Sequence, residues 1–349
     1  MEVDYIIVGQ GLAGSLMACE LINRGKKIVV YDLPHENHSS QVAAGLFNPI
    51  TGRRFVKTWK ADTLFPFLHT HYLGLEQQLG ARFFYRLPLF RPFISVEEQN
   101  DIALAMSDPG LEKYFIKVTE EDPDLKIKNP YGGAYIRSAG FLNIPVFITS
   151  VQTLIRKKAV YRAEHFDEEK LELKPGRIHY KDIHSGKILF CNGLSVSNSR
   201  FFGWLPFRPV KGELIFVTID PPFEFIYNRN VFILPYKGSI HKVGSTYDWE
   251  NIDINPSEEA KTTLENKLNR SIDVNSKTIE QVAGIRPATK DRRPFIGKHP
   301  EHKNMGIFNG LGSKGVSLGP YFAGKLIDCM ENNAEIDFEA NIKRYISLY

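Results

Sequence analysis

Three charged side chains sit in surroundings that suit chemistry rather than solvation alone. Arg286 ends the strand-like run KTIEQVAGIRP, Lys314 lies inside NGLGSKGVSLGP, and Asp32 follows the apolar run IVVY. A guanidinium can hold a carboxylate through two parallel hydrogen bonds, so Arg286 is a candidate anion clamp. An ion pair with an acid inside the fold is the competing reading for it. Lys314 first suggests a phosphate loop, because glycines flank it and an apolar, helix-like run follows. Such a loop requires G-x-x-x-x-G-K-[ST], so that backbone N–H groups wrap the phosphates while the lysine reaches the terminal one. Here Lys314 precedes the second glycine and Val316 follows it, so that pattern is not met.

Asp32 gains meaning from the elements before it. Tyr5 to Val8 is a short apolar run of the buried-strand type, and Gly9, Gly11 and Gly14 follow at once. Leu16 to Ile22 suits a helix that stops at Gly25, and Ile28 to Tyr31 is a second apolar strand. G-x-G-x-x-G therefore lies between a strand and a helix, with an acid 18 residues beyond its last glycine. Gly9 permits the tight turn, and Gly11 lets a pyrophosphate approach the backbone. Leu12 and Ala13 open the helix facing that anion, Gly14 lets helix and strand pack closely, and Asp32 is placed for ribose hydroxyls. This unit suits FAD and NAD equally.

Composition narrows the class. With 349 residues, 43% of them hydrophobic, the chain can build the cores of more than one domain. No apolar run approaches the ~18–20 residues of a membrane helix, and a strand begins almost at Met1, where a secretory leader would lie. Cys19, Cys191 and Cys329 form no C-x-x-C pair, which points to a reduced, cytoplasmic protein. A net charge of +4 suits an acidic ligand and is too small to establish nucleic-acid binding. His35/His38, His69/His71 and His299/His302 lack a framework of cysteines or carboxylates, so no metal is expected.

Along the chain, SSQVAAGLFNPITGRR reads as a turn-rich loop and Thr58 to Leu79 as a helix. ARFFYRLPLFRPF and Phe115 to Lys128 read as antiparallel strand material, and GAYIRSAGFLNIPVFITSVQTLIRKK as strand, turn and helix. GKILFCNG is a buried strand, KGELIFVTI, NVFILPY and SIHKVGSTYDW alternate like sheet strands, and Glu258 to Leu268 is an amphipathic helix. NMGIFNG is a further strand, and Ser313 to Met330 ends in a helix. Parallel-sheet signals at both ends with antiparallel signals between them predict two interleaved domains.

Seven of these segments, in this order, resemble the FAD-dependent D-amino acid oxidase superfamily: the βαβ unit, VAAGLFNP, ILFCNGLSVS, RPVKGEL, KVGSTYD, GIRPATKDRRPFIG and NGLGSKG. The resemblance runs from about Asp4 to Asp328 and is faint across residues 55–130. VAAGLFNP is similar to the loop beside the flavin in the glycine oxidase branch. GLGSKG is more similar to the GLGSRG of another branch, the FAD domain of the bifunctional enzyme that makes 5-methylaminomethyl-2-thiouridine in tRNA. That resemblance implies a mixed α/β fold: a Rossmann-like FAD-binding domain (1–80, 141–209 and 282–349) with an inserted, largely antiparallel substrate domain (81–140 and 210–281).

The resemblance also implies FAD contacts at Ala44, Gly45 and Leu46, at Asn192 and Gly193, and at Gly312, Ser313, Lys314, Gly315 and Val316. It implies a substrate carboxylate on Arg286. Ile285 stands where sarcosine oxidases carry the cysteine that tethers their flavin, so the FAD is expected to be noncovalent. Tyr247 and Tyr236 are candidates for the roof of the substrate cavity, with sheet packing as the alternative. His241, a lone strand histidine, reads as structural. The expected activity is oxidation of a C–N bond in a small carboxylated amine by hydride transfer to flavin N5, with Arg286, Tyr247 and Lys314 in the site. The alternatives are a wobble-uridine oxidase acting on tRNA and a quinone-linked amino acid dehydrogenase. Arg53, Arg54, Lys57 and Lys60, and Arg156, Lys157 and Lys158, read as solvated surface and would favour tRNA only if both clusters bordered the site.

Overall fold

A computed structural model describes residues 1–33, 39–52, 54–121 and 126–349. The strand Glu2–Val8 buries Tyr5, Ile6 and Ile7 completely. It pairs in parallel with Ile28–Tyr31 on one side and Ile183–Phe190 on the other. Cover on both faces explains why these segments are unbroken apolar runs rather than alternating ones. The parallel strands lie in the order Val160–Arg162, Ile28–Tyr31, Glu2–Val8, Ile183–Phe190, Met305–Asn309. In chain order that is third, second, first, fourth, fifth. This is the doubly wound arrangement, whose ligand crevice opens at the carboxyl ends of the strands where the order reverses.

The helix Leu12–Asn23 packs against the helices Ile144–Lys158 and Gly315–Asn332. The first of these is set by its own sequence. Asn143 Oδ1 accepts from Val146 N at its start, Pro145 stands in its first turn, and Arg156, Lys157 and Lys158 offset the negative end of its dipole.

The second sheet has eight strands: Ser276–Arg286, Val210–Ile219, Ile240–Gly244, Val231–Lys237, Ile226–Arg229, Leu89–Pro92, Gly133–Ile136 and Phe115–Thr119. All neighbours are antiparallel except Ile226–Arg229 with Leu89–Pro92. Period-2 alternation gives it two faces. Ile215, Val217, Ile233 and Val243 pack against Leu264 and Leu268 of the helix Glu258–Ser271 on one face. Gly212, Leu214, Phe232, Gly244, Gly284 and Arg286 are presented on the other, toward the crevice of the first sheet.

Several elements differ from expectation. The helix expected from Thr58 starts at Ala61, after Lys60 adopts φ 52°. The stretch after Ser39 holds a short helix, Ser39–Val42, and the two-residue strands Leu46–Phe47 and Ile50–Thr51. Strand Phe115–Thr119 is shorter than the expected run to Lys128, part of which lies outside the described residues. A helix over Val96–Ser107 was not anticipated; it buries only Glu98, Ile102 and Ala105, too few apolar positions to stand out as a stripe.

Candidate functional site

A cavity of ≈ 440 Å³ lies between the carboxyl ends of the parallel strands and the inner face of the second sheet. Gly11, Leu12 and Ala13, at the start of the first helix, form one wall. Gly11, at the capping position, has no side chain to cap this helix start, and Leu12 N donates to Ser40 Oγ at 3.1 Å. The positive end of the helix therefore faces the cavity. Ala44, Gly45, Leu46, Gly193, Gly312, Ser313, Lys314, Gly315 and Val316 also line it.

Four of the residues singled out from the sequence stand behind this wall rather than in it. Gly9 has φ 93°, and a Cβ there would lie 2.7 Å from Asn192 Cα. A Cβ on Gly14 would lie 1.8 Å from Gly9 O, so both glycines serve close packing of strand, turn and helix. Asp32 Oδ1 accepts from Gln10 N at 2.9 Å, and its Oδ2 accepts from Tyr161 O–H at 3.3 Å, bracing the turn. Asn192 lies beneath Gly9, and its Oδ1 is buried without a hydrogen-bond partner among the described residues.

Arg286 ends its strand at the cavity, half buried. Its Nη2 donates to Ser245 Oγ at 2.9 Å, and its guanidinium lies 4.6 Å from the Tyr247 ring centroid. Among the described residues no carboxylate pairs with it, and burial lowers its pKa from the usual arginine value while Tyr247 opposes the shift. The strand partner of this region is Gly212, where a Cβ would sit 2.0 Å from Arg286 Nη2. Only glycine leaves the guanidinium room to fold across the neighbouring strand. Tyr247 lines the cavity while remaining 55% exposed, stacked on Trp249.

Lys314 lines the cavity at the start of the last long helix, also without an acid partner among the described residues. Burial, then Arg293 and Arg292, lower its pKa. Tyr236 does not line the cavity: its ring lies 4.4 Å from the Nζ of Lys242, a lysine left only 3% exposed. His241 is fully buried, accepting from Phe223 N at 3.2 Å through Nε2, with Nδ1 2.9 Å from Ser239 O.

Of the basic clusters, the first flanks the cavity-lining Thr58 but its lysines are paired with acids, and the second lies apart. Lys57 pairs with Asp62 at 2.8 Å and Lys60 with Asp337 at 2.5 Å. Arg53 lies outside the described residues, as do His35 and His38. Arg156, Lys157 and Lys158 occupy the far end of the helix whose first residue, Ile144, lines the cavity; at 1.5 Å per residue that is about 20 Å away. Among the described residues no three histidines, cysteines or acids are grouped to hold a metal, and no helix is long and apolar enough to cross a membrane.

Ser245, Gly212, Phe232, Asn228 and Asn230 also line the cavity and were not singled out from the sequence. Their signal lies in strand register, which a single sequence does not display.

The family model for FAD dependent oxidoreductases, DAO, matches residues 4–329. Glycine oxidase of Bacillus subtilis (strain 168) is 26% identical over 370 residues, covering 96% of this chain and 94% of that protein. The tRNA 5-methylaminomethyl-2-thiouridine biosynthesis bifunctional protein MnmC of Actinobacillus pleuropneumoniae serotype 3 is 19% identical over 91% of this chain, which spans 54% of that protein's length. The crystal structure of glycine oxidase from Geobacillus kaustophilus has the same fold, with a TM-score of 0.81, 19% identity, and coverage of 99% of this chain and 98% of that one.

Proposed function

This chain belongs to the DAO family of FAD dependent oxidoreductases, and from that premise we propose that it oxidises a C–N bond of a carboxylate-bearing amine, an amino acid or an N-substituted glycine. The observation that carries the reading is Arg286: a half-buried guanidinium on the cavity, with no acid to neutralise it among the described residues. A structural arginine in such a place would have its anion built in. A substrate carboxylate supplies the missing partner, and the fork geometry fixes the substrate's orientation.

The residues fit FAD. The helix start at Gly11–Ala13, with glycine at the capping position, suits the pyrophosphate, Gly193 and Gly312 have φ 57° and 53° and present backbone rather than side chains, and Lys314 offers a cation. We assign Gly312 to Val316 to the pyrimidine side of the flavin and Asp32 to the ribose side, where Oδ2, held among the described residues only by Tyr161 O–H at 3.3 Å behind the wall, keeps lone pairs for a hydroxyl. The division of the chain at 80/81, 140/141, 209/210 and 281/282 belongs to the same proposal.

When bound, FAD would supply a two-electron acceptor, at N5, for the hydride of the substrate's α-carbon, and the imine product would hydrolyse in water. The chain's own residues do the rest. Arg286 holds the carboxylate, and Ser245, accepting from Nη2, holds the guanidinium. Tyr247 covers the guanidinium, and Leu214 and Phe232 present apolar surface that excludes water. Lys314 stabilises negative charge that develops beside it.

Noncovalent attachment is supported by Ile285 at the tether position. Cys191, the one cysteine among the cavity-lining residues, is buried with its thiol pKa pushed up well above the usual range. All three cysteines are unpaired, in keeping with a reduced cytoplasmic setting. The likeness to MnmC keeps tRNA as an alternative, yet Lys57 and Lys60 are neutralised by acids and the second cluster lies a helix length away.

The test is an anaerobic screen of amines and amino acids for bleaching of the protein's flavin. Carboxylated amines are expected to bleach it and their decarboxylated analogues not to, and acid denaturation is expected to release FAD into the supernatant. Bleaching indifferent to the carboxylate would refute the reading; flavin retained on precipitated protein would refute noncovalent attachment. Salt-dependent tRNA binding by the pure protein would favour the alternative.

A further inference from the structure

The inner face of the second sheet forms a continuous floor, and its register can be followed strand by strand. Asn228 pairs with Phe232, Phe232 with Gly244, Gly244 with Leu214, and Leu214 with Val282. Partners in register point to the same face, so this row lies on the face that carries Arg286. Asn228, Phe232, Gly244 and Leu214 all line the cavity. Gly244 keeps the middle of the row low: a Cβ there would stand 2.9 Å from Phe232 Cζ and 3.0 Å from Leu214 Cβ.

The row has a polar end. Asn228, Asn230 and Thr51 line the cavity there, and none of their side chains is hydrogen-bonded within the described residues. Asn228 is fixed in place from behind. The next residue, Arg229, turns to the opposite face and pairs with Glu98 at 2.8 Å, both being buried. The carboxamide is thus presented to the cavity from a rigid strand.

The guanidinium of Arg286 lies over Gly212, two residues from Leu214 along the strand. From there to Asn228 is three strand spacings of ~4.8 Å and two residues of ~3.3 Å, or roughly 15 Å. Hydrogen bonds of about 3 Å at each end leave roughly 9 Å for the ligand. A glycine molecule, with two carbons and a nitrogen beyond its two carboxylate oxygens, spans less than half of that.

Resting on the carboxylated-amine reading above, we propose that the substrate is not glycine-sized. It carries an arm, on the nitrogen or the α-carbon, that crosses the apolar floor of Leu214 and Phe232 and ends in a neutral hydrogen-bonding group held by Asn228, with Asn230 and Thr51 beside it. Asn228 is the specificity-determining residue. A carboxamide both donates and accepts, so it recognises an amide, a hydroxyl-bearing group or the edge of a polar heterocycle. An alkyl arm of the same length would leave those groups unpaired.

The test uses FAD-loaded protein under anaerobic conditions and three probes: glycine, N-(3-carbamoylpropyl)glycine, and N-pentylglycine as the apolar equivalent. The second-order rate of flavin bleaching is measured for each. The amide-ended probe is expected to exceed glycine and the pentyl probe by tenfold or more. Asn228→Leu is expected to bring the amide-to-pentyl ratio down about tenfold. Asn228→Asp is expected to shift preference toward N-(4-aminobutyl)glycine, whose ammonium end it would now pair. Bound-flavin absorbance reports whether each variant is folded. Equal rates for the amide and pentyl probes, or a ratio that neither variant moves, overturn this inference while leaving the carboxylated-amine reading standing. If no carboxylated amine bleaches the flavin, that reading fails and this one with it.

Discussion

The two faces of the second sheet treat buried cations in opposite ways. On the face toward the helix Glu258–Ser271, Lys211 is 3% exposed and fully engaged. Its Nζ lies 2.8 Å from Asp253 Oδ1, 2.6 Å from Asn255 O and 3.5 Å from Glu213 Oε1. Glu213 accepts in turn from Ser257 N, Ser257 Oγ and Gln281 Nε2. On the face toward the cavity, Arg286 and Lys242 have no ion-pair partner among the described residues, although Lys242 is just as buried. The difference separates roles. A buried charge that serves the fold is neutralised by the fold, because an unpaired one costs several kcal/mol. We read Arg286, left unpaired on the cavity, as held ready for an anion from outside, whereas Lys242, which does not line the cavity, keeps the cost of its burial.

The largest expected effect tests the cavity side. Arg286→Ala should cost roughly 2–5 kcal/mol of transition-state binding, a fall in kcat/KM of roughly 30- to 5,000-fold for a carboxylated amine. Flavin content should stay at one per chain. A kcat/KM equal to wild type would erase the contrast between the faces.

On the paired side, Glu213→Ala should lower unfolding free energy by about 3 kcal/mol, since it leaves Lys211 short of a carboxylate and Ser257 and Gln281 short of an acceptor. Denaturant titration reads this directly. The KM for the carboxylate should move far less than in Arg286→Ala; the reverse pattern would exchange the two roles.

Lys242 sharpens the comparison through pH. Burial depresses its pKa to about 8, opposed by Glu280, whereas an unfolded lysine titrates near ~10.4. Below pH 8 both states are protonated, and the buried charge weakens the fold by up to about 3 kcal/mol. Between pH 8 and ~10.4 the unfolded chain binds more protons, so stability contributed by this group rises with pH. Lys242→Met should therefore stabilise the protein at pH 7 by about 1–3 kcal/mol and flatten the rise above pH 8. Identical pH–stability curves would show that Lys242 is not a buried cation.

The smallest effect belongs to Lys314. It is half buried, with Arg292 and Arg293 nearby to share its task. Lys314→Met should lower the flavin midpoint potential by roughly 30 mV, equivalent to ~1.4 kcal/mol for a two-electron couple. Sulfite, whose adduct at N5 needs the same stabilisation of negative charge, should bind more weakly. If neither changes, the backbone of Gly312 to Gly315 serves the flavin and the lysine only faces the cavity.

Much of this was legible in the sequence, for reasons that are local. The strand Glu2–Val8, the helix start at Gly11 and the strand Ile28–Tyr31 were written in a contiguous run whose apolar pattern and glycines leave little alternative. Gly14 was recognisable because its constraint acts against Gly9, five residues earlier, whereas the constraint on Gly9 comes from Asn192, far along the chain, and only the motif spacing betrayed it. The helix Val96–Ser107 was not legible, since its buried side holds Glu98 among a few apolar residues, and that glutamate is satisfied by Arg229, 131 positions further on.

The sequence by itself determined the βαβ unit, the family resemblance and the candidacy of Arg286 and Lys314. It left open whether Arg286 was a clamp or half of an ion pair. That turned on which acids come within reach, and reach is set by the register of Ser276–Arg286 against Val210–Ile219, which lays the guanidinium over Gly212. Adjacent residues of a strand face opposite sides whatever their partners, but the tertiary structure decided which side Lys211 takes and which Gly212 takes. The span from Arg286 to Asn228 exists only once strands separated by many residues lie side by side. Side-chain period and strand spacing are local physics, but which strands become neighbours is fixed by burial of the whole sheet.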